Sequence, residues 1–412
     1  MSNTTFTNLF APFDRAGAAP KYQALRQSAR ARFQALPLPT ARSEDWRFTS
    51  IAPLVETPFE LPEHAPTLDA RLPPPTGALW LVFVNGRFAK SLSAPVPSGV
   101  QVGSLVDATG DLAALGQVAV DKDSTFTALN TSFLSDGAYV IVPDGKVLEQ
   151  PIEVIYLAHP GGKPTITHPR TLIAVGKNAQ ATIIERYLGE GVYFTNAVTE
   201  IALAESAIVD HVKVQQESAA AYHVANTQIV QAAKSNFTTH YLALGGALVR
   251  NEVRVRFDGE HAESTVNGLY LANGKQHLDN FTVIDHAKPN CASHELYKGI
   301  LDGRSHGVFN GKILVRKDAQ KTDAKQTNKV LLLSDDATIN TKPQLEIFAD
   351  DVKCTHGATI GQLDATQLFY LQSRGILLDA ARRLLTFAFA NDIVNRLKIE
   401  ALREELETRI VK

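Results

Sequence analysis

The stretch Glu252-Val-Arg-Val-Arg-Phe257-Asp-Gly-Glu260-His-Ala-Glu263 joins a strand pattern directly to a small polar turn. Val253, Val255 and Phe257 alternate with charged residues, and a period of two is typical of a strand with one buried face. The turn that follows, Glu260-His-Ala-Glu263, lies between this strand pattern and the next β-prone run. A strand followed by a short polar turn is therefore the unit to look for elsewhere in the chain.

Three earlier turns of the same kind lead into β-prone runs. Aligned on Ala179, Ser206, Ser235 and Ala262, the four turns lie 27, 29 and 27 residues apart. A repeat of this length without crossover helices favours a β-solenoid, in which each coil buries its apolar face against the next. A β-sandwich is the open alternative, because strand periodicity alone does not distinguish the two folds.

Before this region the chain changes from helical to β-prone. The run Pro20 to Leu36 predicts a helix, because it is rich in Ala, Arg, Gln and Leu and is followed by prolines. The proline-rich stretch from 53 to 75 predicts an ordered connection or linker, since proline excludes long helices and central strands. Leu79 to Val84 then predicts a strand, and Asn85-Gly86 predicts a hairpin turn.

After the β region the pattern becomes helical again. Asp364 is a good N-cap with Gln367 as a capping-box partner, and Gly375 is a natural end for that helix. Asp379 predicts a second N-cap, and a third helix is expected from about Asp392. The predicted fold is therefore mainly β, with a helical region and proline-rich connection over residues 1–75, a β core over 76–362 and a C-terminal helical domain over 363–412.

Composition limits the classes of function. The 41 basic and 43 acidic side chains nearly cancel, so no overall field attracts nucleic acid or an anionic membrane. No apolar run is long enough for a transmembrane helix, and the first residues do not resemble a secretory signal. With only two cysteines, Cys291 and Cys354, the chain is not expected to have a disulfide framework and cannot build a four-cysteine metal cage by itself. A cytoplasmic location is expected.

The chemistry-bearing candidates are few. Cys354 and His356 are two residues apart, so in a strand their side chains lie on the same face and can share iron or zinc. Two ligands do not complete a metal site, so further ligands would have to come from elsewhere, including another chain. The alternative is a cysteine in the core beside an ordinary surface histidine. Cys291 is expected to be structural, and no phosphate-binding loop is found.

Several long motifs resemble the SufB/SufD family of iron–sulfur cluster assembly proteins. The sharpest are Thr341-Lys-Pro-Gln-Leu-Glu-Ile347, Ala349-Asp-Asp-Val-Lys-Cys-Thr-His-Gly-Ala358 and Tyr370-Leu-Gln-Ser-Arg-Gly375. Glu44-Asp-Trp-Arg-Phe-Thr49 also fits, so the resemblance covers nearly the whole chain. The N-terminal half lacks the extra cysteines usual in the SufB branch, which favours the SufD branch.

This resemblance implies a right-handed parallel β-helix flanked by helical parts, and a non-catalytic scaffold rather than an enzyme. It implies pairing with a SufB-like subunit through the β-helix, and docking of a SufC-like ABC ATPase on the C-terminal helices. The position matching His356 would contact a nascent iron–sulfur cluster shared transiently with the SufB-like subunit, and Cys354 is a second candidate. No stably bound cofactor is implied, and flavin in the complex is left open.

Two alternatives of different character stay open. The first is a purely structural adaptor, or a homodimer of the isolated chain, in which His356 contacts neither metal nor cluster. The second is a β-helix enzyme acting on polysaccharide, which the family motifs and the absence of a secretory signal disfavour.

Overall fold

The body of the molecule is a parallel β-helix of about eight turns. The computed structural model describes residues 3–62, 72–73, 75–97, 101–108, 112–120 and 124–411, and helices flank the β-helix on both sides in sequence. All strand pairs are parallel except for two short antiparallel pairs near the start. The predicted β-helix is confirmed, and the β-sandwich alternative is wrong because a sandwich is built from antiparallel strands.

Eight helices and twenty strands are found in the described residues. The helices are α1 Thr4–Thr7, α2 Phe10–Arg15, α3 Gln23–Ala35, α4 Ala52–Glu56, α5 Thr125–Ser132, α6 Ala365–Ser373, α7 Leu378–Val394 and α8 Glu400–Val411. The strands are β1 Leu79–Val84, β2 Arg87–Phe88, β3 Gln101–Ser104, β4 Ala138–Val142, β5 Ile152–Ala158, β6 Thr165–Thr167, β7 Arg170–Val175, β8 Gln180–Gly189, β9 Tyr193–Leu203, β10 Ile208–Gln216, β11 Tyr222–Gln231, β12 Asn236–Ala243, β13 Leu248–Phe257, β14 Glu263–Ala272, β15 His277–His286, β16 Ala292–Leu301, β17 His306–Val315, β18 Asp323–Leu332, β19 Thr338–Ile347 and β20 Lys353–Gly361.

The strands form two ten-stranded sheets that face each other across the core. Sheet I has the order β2-β1-β5-β8-β10-β12-β14-β16-β18-β20. Sheet II has the order β19-β17-β15-β13-β11-β9-β7-β4-β3, with β6 also paired to β9. The chain passes alternately from one sheet to the other, so each coil adds one strand to each. Strands β19 and β20 consequently form the last coil, and each is an edge strand.

A ladder of turns explains the sequence repeat. At the turns leading into β8, β10, β12, β14, β16 and β18, one non-glycine residue adopts the left-handed conformation, with φ between 54° and 62°. These residues are Asn178, Ser206, Lys234, His261, Asn290 and Lys321. The amide of each of them except His261 donates to a carbonyl of the next coil, as Ser206 does to Ala233. The repeat therefore continues beyond the four turns that the sequence indicated.

The N-terminal segment crosses the outer face of sheet II. Trp46 stacks on the guanidinium of Arg250, with 4.0 Å from that group to the ring centroid. Thr49 donates to Asp279 at 2.5 Å, and Lys342 on β19 donates to Glu44 at 2.7 Å. The segment 44–49 is thus attached to three strands of sheet II, including the last one.

The C-terminal helices cover the outer face of sheet I. Their buried residues, among them Ile393, Leu397, Leu402 and Leu406, pack on apolar side chains of that sheet such as Leu242. The apolar face of α8 and of the second half of α7 therefore belongs to the hydrophobic core. No helix in the described residues is both long and apolar enough to cross a membrane.

The N-terminal predictions are largely confirmed. Helix α3 follows a 3-10 turn at Pro20–Tyr22 and covers the predicted helical run. Asn85 and Gly86 both have positive φ and join β1 to β2, as a hairpin of this type requires. Pro66 and Pro74 of the proline-rich stretch lie outside the described residues.

The C-terminal helix boundaries are only partly as expected. The side chain of Asp364 caps α6, accepting from the amides of Thr366 and Gln367, and Gly375 follows the helix with φ of 85°. Asp379 is not an N-cap, because α7 begins one residue earlier at Leu378. Asp392 does not start a third helix, because α7 continues through it to Val394. The division at residues 75 and 362 stays a prediction.

Candidate functional site

The last coil leaves one end of the solenoid open. Among the residues that the structure describes, β20 pairs only with β18 and β19 only with β17, so each has one free edge there. The residues of β20 are exposed except for Cys354, whereas the strands of the central coils are mostly buried. An exposed pair of edge strands is a template for pairing with another chain.

Cys354 and His356 both lie on β20 and belong to its core-facing side. Cys354 is partly buried against the apolar core, and strand alternation places His356 on the same side. His356 is exposed because no further coil covers it. The structure therefore brings the two predicted residues together at the open end, as their spacing indicated.

The two side chains have different environments. Burial and the charge of Asp323 raise the pKa of the Cys354 thiol, so its thiolate is disfavoured. The His356 imidazole lies at the mouth of the solenoid, where a ligand from outside can reach it. His356 is consequently the better placed of the two to contact an approaching metal ion or cluster.

Polar side chains continue inward from His356. Glu295 on β16, Gln326 on β18 and His356 on β20 are direct register partners, so they form one row across three neighbouring strands. The amide of Gln326 donates to a Glu295 carboxylate oxygen at 2.8 Å. Burial raises the pKa of the Glu295 carboxyl to about 7. Sequence reasoning missed both residues, because the register between strands was not visible in it.

The site is incomplete within one chain. Across the residues that the structure describes, no three His, Cys, Asp or Glu side chains are grouped so that they could hold a metal ion. Cys291 does not contribute, since it is buried in the core and donates to the Gly259 carbonyl at 3.3 Å. His294, three residues along from Cys291, is exposed on the opposite face of β16. Any metal or cluster at His356 would need ligands from a second molecule.

A second candidate surface lies on α6 and the start of α7. Helix α6 buries none of its residues, and several large apolar side chains are exposed. These are Phe369, Tyr370, Leu377, Leu378 and Leu384, with Leu377 80% and Phe369 71% exposed. We call these five residues the helical apolar surface. Contiguous exposed apolar side chains mark an interaction site.

Comparison with known proteins identifies related chains. The model of the SufBD core domain of the SUF system for FeS cluster assembly matches residues 157–389, and that of the SufBD N-terminal region matches residues 2–154. Together the two models cover most of the chain.

Individual relatives agree with these matches. The chain is 36% identical over 403 residues to an iron–sulfur cluster assembly SufBD family protein of Synechocystis, covering 92% of this chain and 88% of that protein. It is 32% identical over 380 residues to the iron–sulfur cluster assembly protein SufD of Escherichia coli, covering 90% and 88%. It is also 30% identical over 408 residues to the chloroplastic protein ABCI7 of Arabidopsis thaliana, covering 94% and 85%.

Proposed function

Because the chain belongs to the SufBD family, which takes part in iron–sulfur cluster assembly, we propose that it acts as a non-catalytic scaffold subunit of the SufD type. It pairs with a SufB-like subunit through the open end of the β-helix. The observation that carries this proposal is the position of His356, which is exposed on β20, one of the two edge strands of the last coil. A partner strand added to this edge would cover His356 and bring its own ligands to it.

At the shared site His356 supplies an imidazole, and the SufB-like subunit supplies thiolate or carboxylate. Cys354 is a second candidate ligand on the same side of β20. The iron–sulfur cluster is cargo that the interface holds transiently, and the chain keeps no cofactor of its own. Imidazole and thiolate are both suitable ligands for iron.

A SufC-like ABC ATPase docks on the helical apolar surface. This surface is supported by its exposed large apolar side chains, which fit a partner rather than the core of this chain. ATP is bound and hydrolysed by that subunit, in keeping with the lack of a phosphate-binding loop here. Such a complex works in the cytoplasm, as expected from the sequence.

The deciding experiment compares two histidine substitutions in the complex. This chain is co-expressed with SufB-like and SufC-like subunits from the same source and purified anaerobically, and iron and sulfide are measured. His356→Ala should leave the complex assembled but remove most of its cluster. His294→Ala is the matched control, since His294 is exposed on the outer face of β16.

The outcomes separate the proposal from its alternatives. Normal cluster content in the His356→Ala complex would leave only the structural adaptor. Failure of this chain to co-purify with either subunit would overturn the scaffold assignment. A homodimer of the isolated chain, seen as a doubled mass that persists in the presence of both subunits, would also contradict it.

A further inference from the structure

Glu295 is an unusual residue for the interior of a β-helix. Its carboxyl is 4% exposed and makes no ion pair with any Lys, Arg or His of the described residues. One carboxylate oxygen accepts from Gln326. The other, Oε1, makes no well-formed hydrogen bond among the described residues, although the Thr282 hydroxyl lies close enough to the carboxyl to lower its pKa. A buried carboxyl without a cation is costly in its ionised form, so it is poised to hold a proton.

Neighbouring polar atoms are also unpaired. Oε1 of Gln326, the Tyr297 hydroxyl and both side-chain polar atoms of Asn280 lack partners in the part of the chain described. These atoms belong to interior side chains of β15, β16 and β18, in the two coils that precede the last one. Several buried polar groups close together are the normal setting for ordered water. These unpaired atoms are where ordered water would bind between Glu295 and the open end.

The position of Gln326 depends on a glycine opposite. A Cβ atom on Gly311 would lie 2.3 Å from Nε2 of Gln326, so any larger residue there would push the amide away. Gly311 thus leaves room for Gln326 to lie across the interior between Glu295 and the last coil. Because the strands of a sheet are spaced by about 4.8 Å, the backbones of Glu295 and His356 are about 10 Å apart, with Gln326 between them.

We propose that Glu295 accepts the proton that a metal-binding ligand at the open end must lose, through water lying beside Gln326. This inference rests on the proposed function of His356. Thiols and imidazolium groups must be deprotonated to bind a metal ion. The step exchanges one S–H bond of a partner thiol for one O–H bond on Glu295. No electron is transferred, and the proton later leaves to solvent through the open end.

The surroundings of Glu295 support this role. A pKa of about 7 leaves Glu295 able to take up and release a proton near neutral pH. Its titratable neighbour on β16 is Tyr297, whose pKa is raised well above 10 by burial and by the Glu295 charge, so this phenol stays protonated. The facing side chains on β15 and β18, namely Asn280, Thr282 and Gln326, are neutral. His356 is the next titratable group along the row.

The first test uses the isolated full chain and infrared spectroscopy. A buried carboxylic acid gives a carbonyl stretching band that disappears on ionisation. The band should be present at pH 5, decline through about pH 7 and be absent from Glu295→Gln, while His356→Ala retains it. A carboxylate that is already fully ionised at pH 5 would overturn the inference without touching the proposed function.

The second test measures the rate of cluster formation from ferrous iron and sulfide on the full complex between pH 6 and 9. Glu295→Gln should slow formation by about 100-fold, the lower end of the usual contribution of a positioned proton acceptor, and should remove the pH dependence near 7. Glu205→Gln is the control, since Glu205 lies in a surface turn away from the open end and pairs with Lys234. Gln326→Met should slow formation as well, and it replaces the first variant if Glu295→Gln does not fold.

The two hypotheses fail in distinguishable ways. Loss of cluster formation in His356→Ala, together with wild-type rates and pH profiles in Glu295→Gln and Gln326→Met, would overturn the proton-accepting role alone. Wild-type cluster formation in His356→Ala would overturn the proposed function and this inference with it. Slow cluster formation in Glu295→Gln and Gln326→Met, together with loss of cluster in His356→Ala and normal formation in the control, would support both hypotheses.

Discussion

Arg186 on β8 donates from Nη1 to both carboxylate oxygens of Glu405 in α8 at 2.8 Å, across 219 residues of sequence. The guanidinium is fully buried and also donates to Glu153 at 2.9 Å. Glu405 is therefore turned toward the β-helix. This contact fixes α8 to the middle of the solenoid, and through α8 it fixes the position of the helical apolar surface.

Removing the Glu405 carboxylate should loosen the C-terminal helices. We expect Glu405→Ala to lower the free energy of unfolding by about 1–3 kcal/mol, because a buried guanidinium loses one of its two charged partners. Hydrogen exchange should rise in α7 and α8 more than in the β-helix. Glu404→Ala, at an exposed neighbouring position, should change little. Equal effects of the two substitutions would contradict this account.

A charge on the open edge should block pairing. Ile360 on β20 is 47% exposed, and in the proposed complex it is covered by the SufB-like subunit. Ile360→Asp should weaken that association by about 10- to 100-fold, since a polar group buried without a partner costs about 1–3 kcal/mol. Binding is measured by titration with the purified subunit. Ile208→Asp, at a residue 40% exposed on β10, should bind normally.

A charge on the helical apolar surface should weaken binding of the other proposed partner, the SufC-like ATPase. Leu377 is 80% exposed, and burying such a side chain contributes about 1.5–3 kcal/mol to association. Leu377→Asp should therefore weaken binding of the SufC-like ATPase by at least about 10-fold and leave pairing with the SufB-like subunit intact. Val147→Asp, 51% exposed and distant in sequence, is the control. Unchanged ATPase binding would place the docking site elsewhere.

Cys354 and His356 should not be equivalent. Because burial raises the pKa of the Cys354 thiol, we expect Cys354→Ala to retain most of the cluster that His356→Ala loses. The same change should cost about 1 kcal/mol of stability, because the side chain packs on the core. Iron content and urea unfolding measure the two effects. Loss of cluster in Cys354→Ala at unchanged stability would instead make this cysteine a ligand.

Glu295 should make stability depend on pH. Its pKa of about 7 is above the ordinary value of 4.5, so the folded chain binds this proton more tightly than the unfolded chain does. The stability linked to this proton is full below about pH 4.5 and is lost as the pH rises to about 7. Relative to the wild type, Glu295→Gln should gain about 3 kcal/mol between pH 4.5 and 8, as measured by urea unfolding. A constant difference between the two proteins would contradict the raised pKa.

The solenoid was predictable because its signals are local. Strand alternation at Val253, Val255 and Phe257 and the turns near Ala179 and Ser206 are each visible within about ten residues. The exact turn residue was less clear, since the left-handed residue at the first of these turns is Asn178 rather than Ala179. Asparagine tolerates that conformation better than alanine does.

The features that could not be predicted depend on contacts between residues far apart in the sequence. Asp392 has the chemistry of an N-cap, but in the interior of α7 its carboxylate pairs with Lys298 on β16 at 2.8 Å. Nothing near Asp392 in sequence indicates that lysine. The alignment of Glu295 with Gln326 and His356 likewise requires the register of three strands, which coils of unequal length conceal. The spacing correctly placed Cys354 and His356 on one face of one strand, and their role as ligands stays a prediction. The polar row behind them was missed.

The segment 44–49 sets the order in which the molecule can be completed during synthesis. Its partners Arg250, Asp279 and Lys342 lie far downstream, and Lys342 follows Glu44 by 298 residues. At a translation rate of about 5–20 residues per second, the segment waits roughly 15–60 s for its last contact. Trp46 has no guanidinium to cover it until Arg250 on β13 has been made. A nascent chain is therefore exposed to chaperones and proteases at its N-terminal end until the last coil has left the ribosome.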